Sequence, residues 1–309
     1  MPVEFRPVQP HEHALALSLW SRVFEQPGYF ERYYARESDP SYQVGDTVGA
    51  WDAGALVAAV HFVRRRVVWK DRTLLCGGIA NVATADSHRK QGLSGSLLEM
   101  AIDGMTRAGC DFSLLGTGIP GHYARYGWEP CAMTRLHVEI ADDAPAPSAA
   151  LIENPPTPEI EAIYAAAPRP LQPVRESAYF GGWVGLNWTD HGSKALVLPG
   201  RAYAVFTVPT TSEGEHPQMV VEEWRAVDAA AEREILAGTL AHGKALGAKL
   251  AVLGAALQHG GEVPNAASVQ AEHGGGEMIR NVGLPESEYA EVKAAYADGR
   301  AVWMEADAF

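Results

Sequence analysis

The sequence predicts a mixed α/β protein of two domains that repeat a similar order of strands and helices. Residues 81–101 show a β-rich run that ends in a glycine-containing loop and continues into an amphipathic helix. A length of 309 residues favours two domains, each with its own core. Alanine and proline crowd residues 141–158, which is typical of a linker or an extended crossover. We therefore expect domains at 1–140 and 159–309.

In the first domain, apolar residues at helical spacing predict a helix over His13–Phe24, followed by an aromatic-rich helix over Gly28–Glu37. A further helix carries the apolar stripe from Leu97 to Ala108 and ends at Gly109. A short helical segment leads to Gly127-Trp128. The strands are predicted at Thr47–Trp51, Ala55–Trp69, Leu74–Thr84, Asp111–Gly116 and Leu136–Ile140.

The second domain repeats strands followed by a long helix and further strands. Its alanine-rich helix is predicted over Asp228–Leu246, where Gly247 can end it. The strands are predicted at Ala195–Leu198, Ala202–Val208, Met219–Trp224 and Lys249–Leu253, with Met278–Val282 and Ala301–Ala306 closing the sheet.

Composition and charge exclude several classes of function. The chain is 47% hydrophobic and 20% charged, as in ordinary soluble proteins, and its formal net charge of −13 argues against a nucleic-acid partner. We expect no membrane association, because no apolar run reaches the length of a span and residues 1–20 do not resemble a secretory signal. The three cysteines lack metal-ligand spacing, which favours buried thiols, a cytoplasmic location and no metal site.

The loop at Arg89–Gly95 has the features of a phosphate-binding turn. It opens directly into a helix, whose first backbone N–H groups lack partners and carry partial positive charge. Gly92 allows the backbone to approach an anion closely, and Ser94 and Gly95 keep that approach uncrowded. Arg89 and Lys90 add formal positive charge. The pattern therefore predicts a pyrophosphate site.

The first domain resembles the GNAT superfamily of N-acetyltransferases. The family motif Gln/Arg-x-x-Gly-x-Gly/Ala is matched by Arg89-Lys90-Gln91-Gly92-Leu93-Ser94, with serine at the last small position. A second family signature, a tyrosine four residues before a glycine-aromatic pair, is matched by Tyr123 and Gly127-Trp128. The resemblance covers roughly residues 1–140. It implies a GNAT acetyltransferase fold, acetyl-CoA as cosubstrate and an amine as acceptor.

The resemblance also implies which residues bind the cosubstrate. The strand before the loop would hold the acetyl-pantetheine arm by backbone contacts, the loop and helix start would surround the pyrophosphate, and the end of the neighbouring strand would flank the arm. Tyr123 would be the general acid for the leaving thiolate, because a phenol is protonated at neutral pH. The implied cosubstrate-binding residues are Val82, Ala83, Thr84, Arg89, Lys90, Gln91, Gly92, Leu93, Ser94, Gly95, Gly118 and Ile119.

The general base stays open at this stage. Many GNAT enzymes use a glutamate on the strand before the loop, but Cys76–Thr84 contains no carboxylate. His61, His122 and a water chain are alternatives. The tandem domains resemble the enhanced-intracellular-survival group of GNAT enzymes, which resembles this chain in ending with phenylalanine. By that resemblance the carboxylate of Phe309 would be the base if the tail folds back, although the third domain of that group has no counterpart here.

The second domain resembles a degenerate GNAT domain that does not bind the cosubstrate. The corresponding junction contains no glycine, and Asp228, Glu232 and Glu234 would place negative charge where phosphate would sit. These carboxylates suit the positive end of the helix, which indicates a capped structural helix. We therefore expect one cosubstrate per chain.

The acceptor cannot be identified from the sequence, and the class of small-molecule or peptide amines stays open. The aromatic residues Tyr29, Phe30, Tyr33 and Tyr34 would either line the acceptor pocket or belong to the core. A catalytically silent acyl-CoA-binding or regulatory protein is the alternative function. A homo-oligomer is compatible with either function.

Overall fold

The computed structural model describes residues 2–35, 39–209 and 217–301. The chain divides into two compact units. The first comprises the chain up to Cys131 together with Gly276–Glu291, and the second comprises Ala132–Gly275 with the described residues from Val292 onward. Each unit has its own mixed sheet, which confirms the predicted mixed α/β class.

The strands and helices are numbered in chain order over the described residues. The strands are β1 Glu4–Pro7, β2 Thr47–Asp52, β3 Ala55–Trp69, β4 Arg72–Thr84, β5 Phe112–Gly116, β6 Glu129–Pro130, β7 Thr134–Ile140, β8 Lys194–Leu198, β9 Ala202–Thr207, β10 Gln218–Ala226, β11 Leu250–Leu253, β12 Ala266–His273 and β13 Glu277–Asn281. The α-helices are α1 His13–Val23, α2 Tyr29–Tyr33, α3 Leu93–Arg107, α4 Pro120–Ala124, α5 Pro158–Ala166, α6 Ser177–Tyr179, α7 Gly185–Asp190, α8 Ala229–Ala245 and α9 Glu286–Ala297. A π-helical turn, Phe180–Val184, joins α6 to α7. None of the described helices combines the length and the apolar character that crossing a bilayer would require.

The sheet of the first unit has the order β1-β2-β3-β4-β5-β13-β6. Strands β1 to β4 pair antiparallel, and β5 then pairs parallel to β4 after the crossover through α3. The apolar stripe of α3 is buried at Leu97, Leu98, Ala101 and Met105 and packs into the core of this unit. The helix therefore has a fixed position against the sheet, and its N-terminus lies directly beyond the end of β4.

The sheet of the second unit has the order β12-β7-β11-β10-β9-β8. Strands β10 and β11 are parallel, and the long helix α8 connects them as the crossover. The order β10, α8 and β11 therefore repeats the arrangement of β4, α3 and β5 in the first unit, as the sequence predicted.

The division of the chain differs from the predicted boundary at residue 140 in two places. The strand β7, which we placed at the end of the first domain, pairs with β11 and β12 in the second unit. The strand β13, which we placed in the second domain, pairs with β5 and β6 in the first. The partner strand β6 has only two residues and ends in Pro130, which cannot donate a ladder hydrogen bond. Each sheet is thus completed by a strand from the other half of the sequence.

Other differences concern the lengths of elements. The helix predicted over Gly28–Glu37 is observed only over Tyr29–Tyr33, and its predicted end falls on residues 36–38, which lie outside the described residues. Most of the predicted strand Ala301–Ala306 also lies outside them. Helices α5 and α9 and strand β12 were not predicted. Strand β12 is exposed along nearly its whole length.

The three cysteines are buried, which confirms their interpretation as buried thiols. Burial raises the pKa of Cys110 to about 12. It raises that of Cys76 further. Neither thiol therefore has thiolate character at neutral pH.

A buried ionic cluster lies in the core of the second unit. Arg175 donates two hydrogen bonds to Glu223, at 3.0 and 2.6 Å, with both side chains excluded from solvent. The Tyr203 hydroxyl donates to the same carboxylate. Burial alone would raise the pKa of Glu223, but the charges of Arg175 and Arg225 outweigh it and lower that pKa. The carboxylate is therefore ionised and holds the side chains of Arg175 and Tyr203 in place.

We expect Glu223→Gln to lower the free energy of unfolding by about 3 kcal/mol at pH 7, because it leaves the buried Arg175 without a counter-charge. Chemical denaturation followed by circular dichroism measures this loss. The control is Glu234→Gln, which removes an exposed pair with Arg201, N–O distance 2.7 Å, and should change stability little because water screens that pair. Equal effects of the two substitutions would contradict the structural role of Glu223.

The pH dependence of stability has a defined sign. Because the pKa of Glu223 is lowered in the folded protein, its contribution is fully present above the usual carboxyl pKa. It is lost as the pH falls through the lower, folded-state value.

Candidate functional site

Strands β4 and β5 run side by side for only three residue pairs before they part. Their parallel register extends from Cys76 opposite Phe112 to Gly78 opposite Leu114. Strand β4 continues to pair with β3 as far as Thr84. Within the described part of the chain, the other edge of β4 therefore has no strand partner beyond Gly78. That edge offers backbone donors and acceptors to an extended ligand.

A β-bulge explains why the strands part. Two residues of β4, Asn81 and Val82, lie opposite the single residue Val60 of β3. Asn81 adopts a left-handed backbone conformation with φ of 54°. A bulge bends its strand and increases the local twist, and asparagine tolerates the left-handed region better than most residues. The bulge thus turns the end of β4 away from β5.

A cavity of about 460 Å³, here named the strand cavity, lies between the parted strands. One wall is formed by Ile79–Val82 of β4 and another by Leu115–Ile119 at and beyond the end of β5. Gly118 and Ile119, which the family resemblance placed beside the pantetheine arm, both line it. The remaining lining residues are Phe24, Gln26, Tyr29, Phe30, Tyr34 and Tyr123.

Helix α3 begins at the end of the basic loop with its N-terminus uncapped. The N-cap residue is Gly92, with φ of 80°, and no side chain accepts a hydrogen bond from the first turn. A Cβ added to Gly92 would have no heavy atom within 4 Å, so the space in front of the helix start is open. Lys90 is also left-handed, with φ of 63°. The loop therefore presents backbone N–H groups and a lysine at the positive end of the helix.

A second cavity of about 430 Å³, here named the loop cavity, joins this helix start to the strand. Thr84 of β4, Arg89 of the loop and Ser94 of the first helical turn all line it. Four residues line both cavities: Phe24, Val82, Ile119 and Tyr123. The two cavities therefore meet at these side chains, and one ligand can extend from the helix start into the strand cavity.

The predicted binding residues differ in what they can contribute. Side chains of Ala83 and Leu93 are buried in the core, so only their backbone groups are available to a ligand. The Arg89 guanidinium pairs with Asp86 at 2.8 Å. Lys90 and Gln91 are exposed beside the helix start, although neither lines the loop cavity.

Gly95 has a packing role that the sequence did not suggest. It is buried in the first turn of α3, and a Cβ at this position would overlap the hydroxyl of Tyr126. Only glycine therefore allows the Tyr126 ring to lie against the helix. The close packing fixes the position of the helix start relative to the segment that carries Tyr123.

Tyr123 lies in the short helix α4 and is only 8% exposed. Its ring packs edge-on against Trp128, with centroids 6.3 Å apart, and Trp128 in turn donates to the Ser113 hydroxyl at 3.2 Å. Burial raises the pKa of Tyr123, against a smaller opposite effect of a hydrogen bond with Thr117. The phenol is therefore protonated at neutral pH and is held rigidly where the two cavities meet.

The two candidate histidines lie in different surroundings. His61 is buried, its Nδ1 lies 3.0 Å from the Thr47 hydroxyl, and burial lowers its pKa to about 3. It lines neither cavity, so the structure favours a core role for it. His122 lines the loop cavity, with Nε2 3.5 Å from the Ser94 hydroxyl, and burial lowers its pKa. Phe309, the third candidate base, lies outside the described residues.

Sequence reasoning missed Asn81, and it left the aromatic residues undecided. Asn81 lines the strand cavity beside Tyr34, and a hydrogen bond with its side chain opposes part of the rise that burial causes in the pKa of Tyr34. A polar residue in an apolar strand was the only available signal. Of the aromatic cluster, Tyr29, Phe30 and Tyr34 line the strand cavity, whereas Tyr33 is buried and does not.

In the second unit, carboxylates of the protein itself lie at the corresponding helix start. Asp228 caps α8 by accepting a hydrogen bond from the Ala231 amide at 2.7 Å. Glu232 is buried and accepts from Trp224 Nε1 at 2.9 Å and from the His259 amide at 2.8 Å. These contacts confirm the predicted capped structural helix, since carboxylates occupy the place a phosphate would need.

Among the described residues, no group of three or more histidine, cysteine, aspartate or glutamate side chains is arranged to hold a metal ion. The structure therefore gives no basis for assigning a metal role to the glycine-flanked histidines of the second half.

Comparison with known proteins agrees with the geometry of the first unit. Residues 4–131 match the family model of the acetyltransferase (GNAT) domain. The match contains β4, the basic loop, α3 and Tyr123. No curated protein sequence matches the chain significantly.

Solved structures share the fold over most of the chain. A probable N-acyltransferase from Enterococcus faecalis is 17% identical with a TM-score of 0.71, covering 92% of this chain and 73% of its own. Eis1 from Mycobacterium abscessus is 17% identical with a TM-score of 0.63, covering 91% and 74%. Yeast N-myristoyltransferase with bound myristoyl-CoA, from Saccharomyces cerevisiae, is 10% identical with a TM-score of 0.54, covering 91% and 84%. The likeness extends through both units and supports a tandem GNAT-like arrangement.

The open, uncapped start of α3 and the parted strands β4 and β5 both lie within residues 4–131, the part of the chain that matches the acetyltransferase (GNAT) domain model.

Proposed function

We propose that this protein transfers an acetyl group from acetyl-CoA to a primary amine by direct attack of the amine on the thioester. The observation that carries the proposal is the continuity of the two cavities. The loop cavity begins at the helix start, which suits a pyrophosphate, and meets the strand cavity at Tyr123. The strand cavity then has room for the acceptor.

Backbone groups would hold the pantetheine arm. The edge of β4 at Val82–Thr84 has no strand partner among the described residues, so its N–H and C=O groups can pair with an extended amide-containing chain. An N–H group on this edge is also suited to stabilise the oxyanion that develops on the thioester carbonyl. Gly118 and Ile119 would flank the arm from the other strand.

Tyr123 would complete the reaction as general acid. The amine nitrogen forms a bond to the carbonyl carbon, the carbon–sulfur bond breaks, and the phenol gives its proton to the leaving thiolate. The nitrogen loses one proton to water or a base, and solvent reprotonates the phenolate. Its position where the cavities meet and its protonated state at neutral pH both support this role.

The proposed pyrophosphate site is tested by a charge change at Gly92. We expect Gly92→Asp to weaken binding of acetyl-CoA by about tenfold or more, since a carboxylate would face the phosphates at the helix start. Isothermal titration calorimetry measures the dissociation constant.

The matched control is Gly92→Asn, which has the same size and also tolerates a left-handed backbone. It should bind acetyl-CoA much more tightly than the aspartate variant. If the two variants bind equally, charge at the helix start does not matter and the proposed site is wrong.

The proposed general acid is tested by Tyr123→Phe. The variant keeps the ring packed against Trp128 but cannot donate a proton, so kcat should fall about a hundredfold or more while the affinity for acetyl-CoA stays the same. The neighbouring Tyr126→Phe is the control and should largely keep its turnover. Because burial raises the pKa of Tyr123, its proton is retained beyond the usual phenol range, so this group should cause no alkaline loss of kcat below pH about 10. Unchanged turnover in Tyr123→Phe would exclude the role.

A further inference from the structure

The strand cavity is uncharged along the lining that the structure describes. Its side chains are aromatic, aliphatic or neutral polar, and none of the described lining residues is an aspartate, glutamate, lysine, arginine or histidine. Gln26, Asn81 and Thr117 supply the neutral polar groups. An acceptor inside this cavity must therefore do without a counter-ion from these walls.

This lack of charge matters because a nucleophilic amine must be neutral. An aliphatic amine is almost entirely an ammonium ion at pH 7, and moving that ion into an uncharged cavity is costly without a paired carboxylate. It would also need a base to remove its proton. The titratable side chains on the described walls are Tyr29, Tyr34 and Tyr123, which are all protonated at neutral pH because burial raises their pKa values.

Histidines do not supply the missing base in the strand cavity. His122 lines only the loop cavity, beside Ser94, where the cosubstrate would lie. His61 lines neither cavity. The described walls therefore suit an amine that is already neutral when it binds.

The aromatic side chains form a surface that suits a flat ring. Tyr29 and Phe30 meet edge to face, with centroids 5.1 Å apart and planes at 84°. Phe30 also packs against Phe24 and Tyr34, at 5.5 and 5.7 Å. Aromatic pairs in edge-to-face or offset geometry are stabilised beyond the burial of their area. A ring entering at the half-exposed Tyr29 would extend this cluster.

Asn81 and Tyr34 add neighbouring neutral polar groups to the wall. Both residues line the cavity, and the Asn81 amide interacts with the Tyr34 hydroxyl. A phenol hydroxyl and a side-chain amide can both exchange hydrogen bonds with a neutral polar atom of a ligand. The cavity therefore accommodates a ring that carries an ether, a hydroxyl or a carbonyl oxygen.

We propose that the acceptor is an aromatic amine, with its nitrogen attached to the ring and neutral at physiological pH, which binds among Phe24, Tyr29, Phe30 and Tyr34. This inference rests on the proposed acetyl transfer and narrows its substrate class. The amine nitrogen bonds to the acetyl carbonyl carbon, and the carbon–sulfur bond of the thioester breaks. Tyr123 protonates the leaving thiolate, and water takes the proton that the nitrogen loses. No side-chain base on the cavity wall is required.

The first experiment measures the acetylation of four small amines by the purified full-length protein in the presence of acetyl-CoA. Aniline and its 4-methoxy derivative represent aromatic amines, cyclohexylamine has a saturated ring and a basic nitrogen, and 1,4-diaminobutane is a flexible dication. Free thiol release and the mass of the acetylated product are both measured. At pH 7 we expect kcat/KM for the aromatic amines to exceed those of the other two by about tenfold or more.

The pH dependence gives a second readout. Between pH 7 and 9 the neutral fraction of cyclohexylamine rises about tenfold per unit, so its kcat/KM should rise nearly as steeply. The value for aniline should stay almost flat, because aniline is neutral throughout. A flat profile for cyclohexylamine with efficient turnover would show that the site binds and deprotonates an ammonium ion, and would overturn the proposal.

Introducing a charged side chain into the cavity tests whether its uncharged lining determines which amine is acetylated. Tyr29 is 42% exposed, so Tyr29→Glu can place a carboxylate at the cavity without burying it fully. We expect this variant to raise the ratio of diaminobutane to aniline kcat/KM by about tenfold or more, since the ammonium gains a partner. Tyr29→Gln is the matched control and should raise that ratio much less. Equal ratios in the two variants would contradict an uncharged cavity as the basis of selectivity.

The outcomes separate this inference from the proposed function. If the wild-type protein binds acetyl-CoA and acetylates diaminobutane better than aniline, acetyl transfer stands and the aromatic class is wrong, with cation–π binding of an ammonium as the explanation. If no amine is acetylated and acetyl-CoA does not bind, the proposed function itself fails.

Discussion

The site depends on a single backbone irregularity, the bulge at Asn81 in β4. A straight β4 would continue to pair with β5 after Gly78, and the sheet would have no opening there. The bulge turns the strand while its other edge still pairs with β3 as far as Thr84. One edge is thus anchored and the other is left for a ligand. The strand cavity follows from this asymmetry.

The two units share one local topology, with an open helix start in the first and an occupied one in the second. Helices α3 and α8 each follow a strand and lead to a parallel neighbour. At α3 the N-cap is a left-handed glycine with open space before it. At α8 the Asp228 carboxylate accepts from the Ala231 amide of the first turn, and the Glu232 carboxylate accepts from the His259 amide outside the helix. A ligand anion at α8 would have to displace these hydrogen bonds and overcome like charge.

The sequence predicted elements well where the signal is local. Strand β3 was predicted over its full observed range, Ala55–Trp69, because it is rich in β-branched and apolar residues on both sides of Arg64–Arg66 and lies between two turns. The exchange of β7 and β13 between units was missed, since alternation along a strand identifies the strand but not its partner. Family motifs placed the loop and Tyr123, which the structure brings to one site.

Other features of the site depend on contacts that no short pattern encodes. The overlap that restricts residue 95 to glycine involves Tyr126, thirty-one positions later, so the close approach appears only once α3 and α4 are packed. The sequence shows Asn81 as a polar residue in an apolar strand. Its left-handed backbone belongs to the bulge, in which two residues of β4 lie opposite the single residue Val60 of β3. The absence of charged side chains from the described lining of the strand cavity is likewise a property of the assembled walls.

In the proposed reaction, selectivity would arise at the cavity rather than from the overall field. A formal net charge of −13 attracts cations to the surface and would, by steering alone, favour polyamines over neutral amines. Steering raises encounter rates, but it does not remove the cost of placing an ammonium against the uncharged, aromatic lining that the structure describes. A neutral ring gains nothing from the field, yet it loses little hydration on entering among Phe24, Tyr29 and Phe30. The free energy of binding inside the cavity would therefore decide which amine reaches a bound thioester.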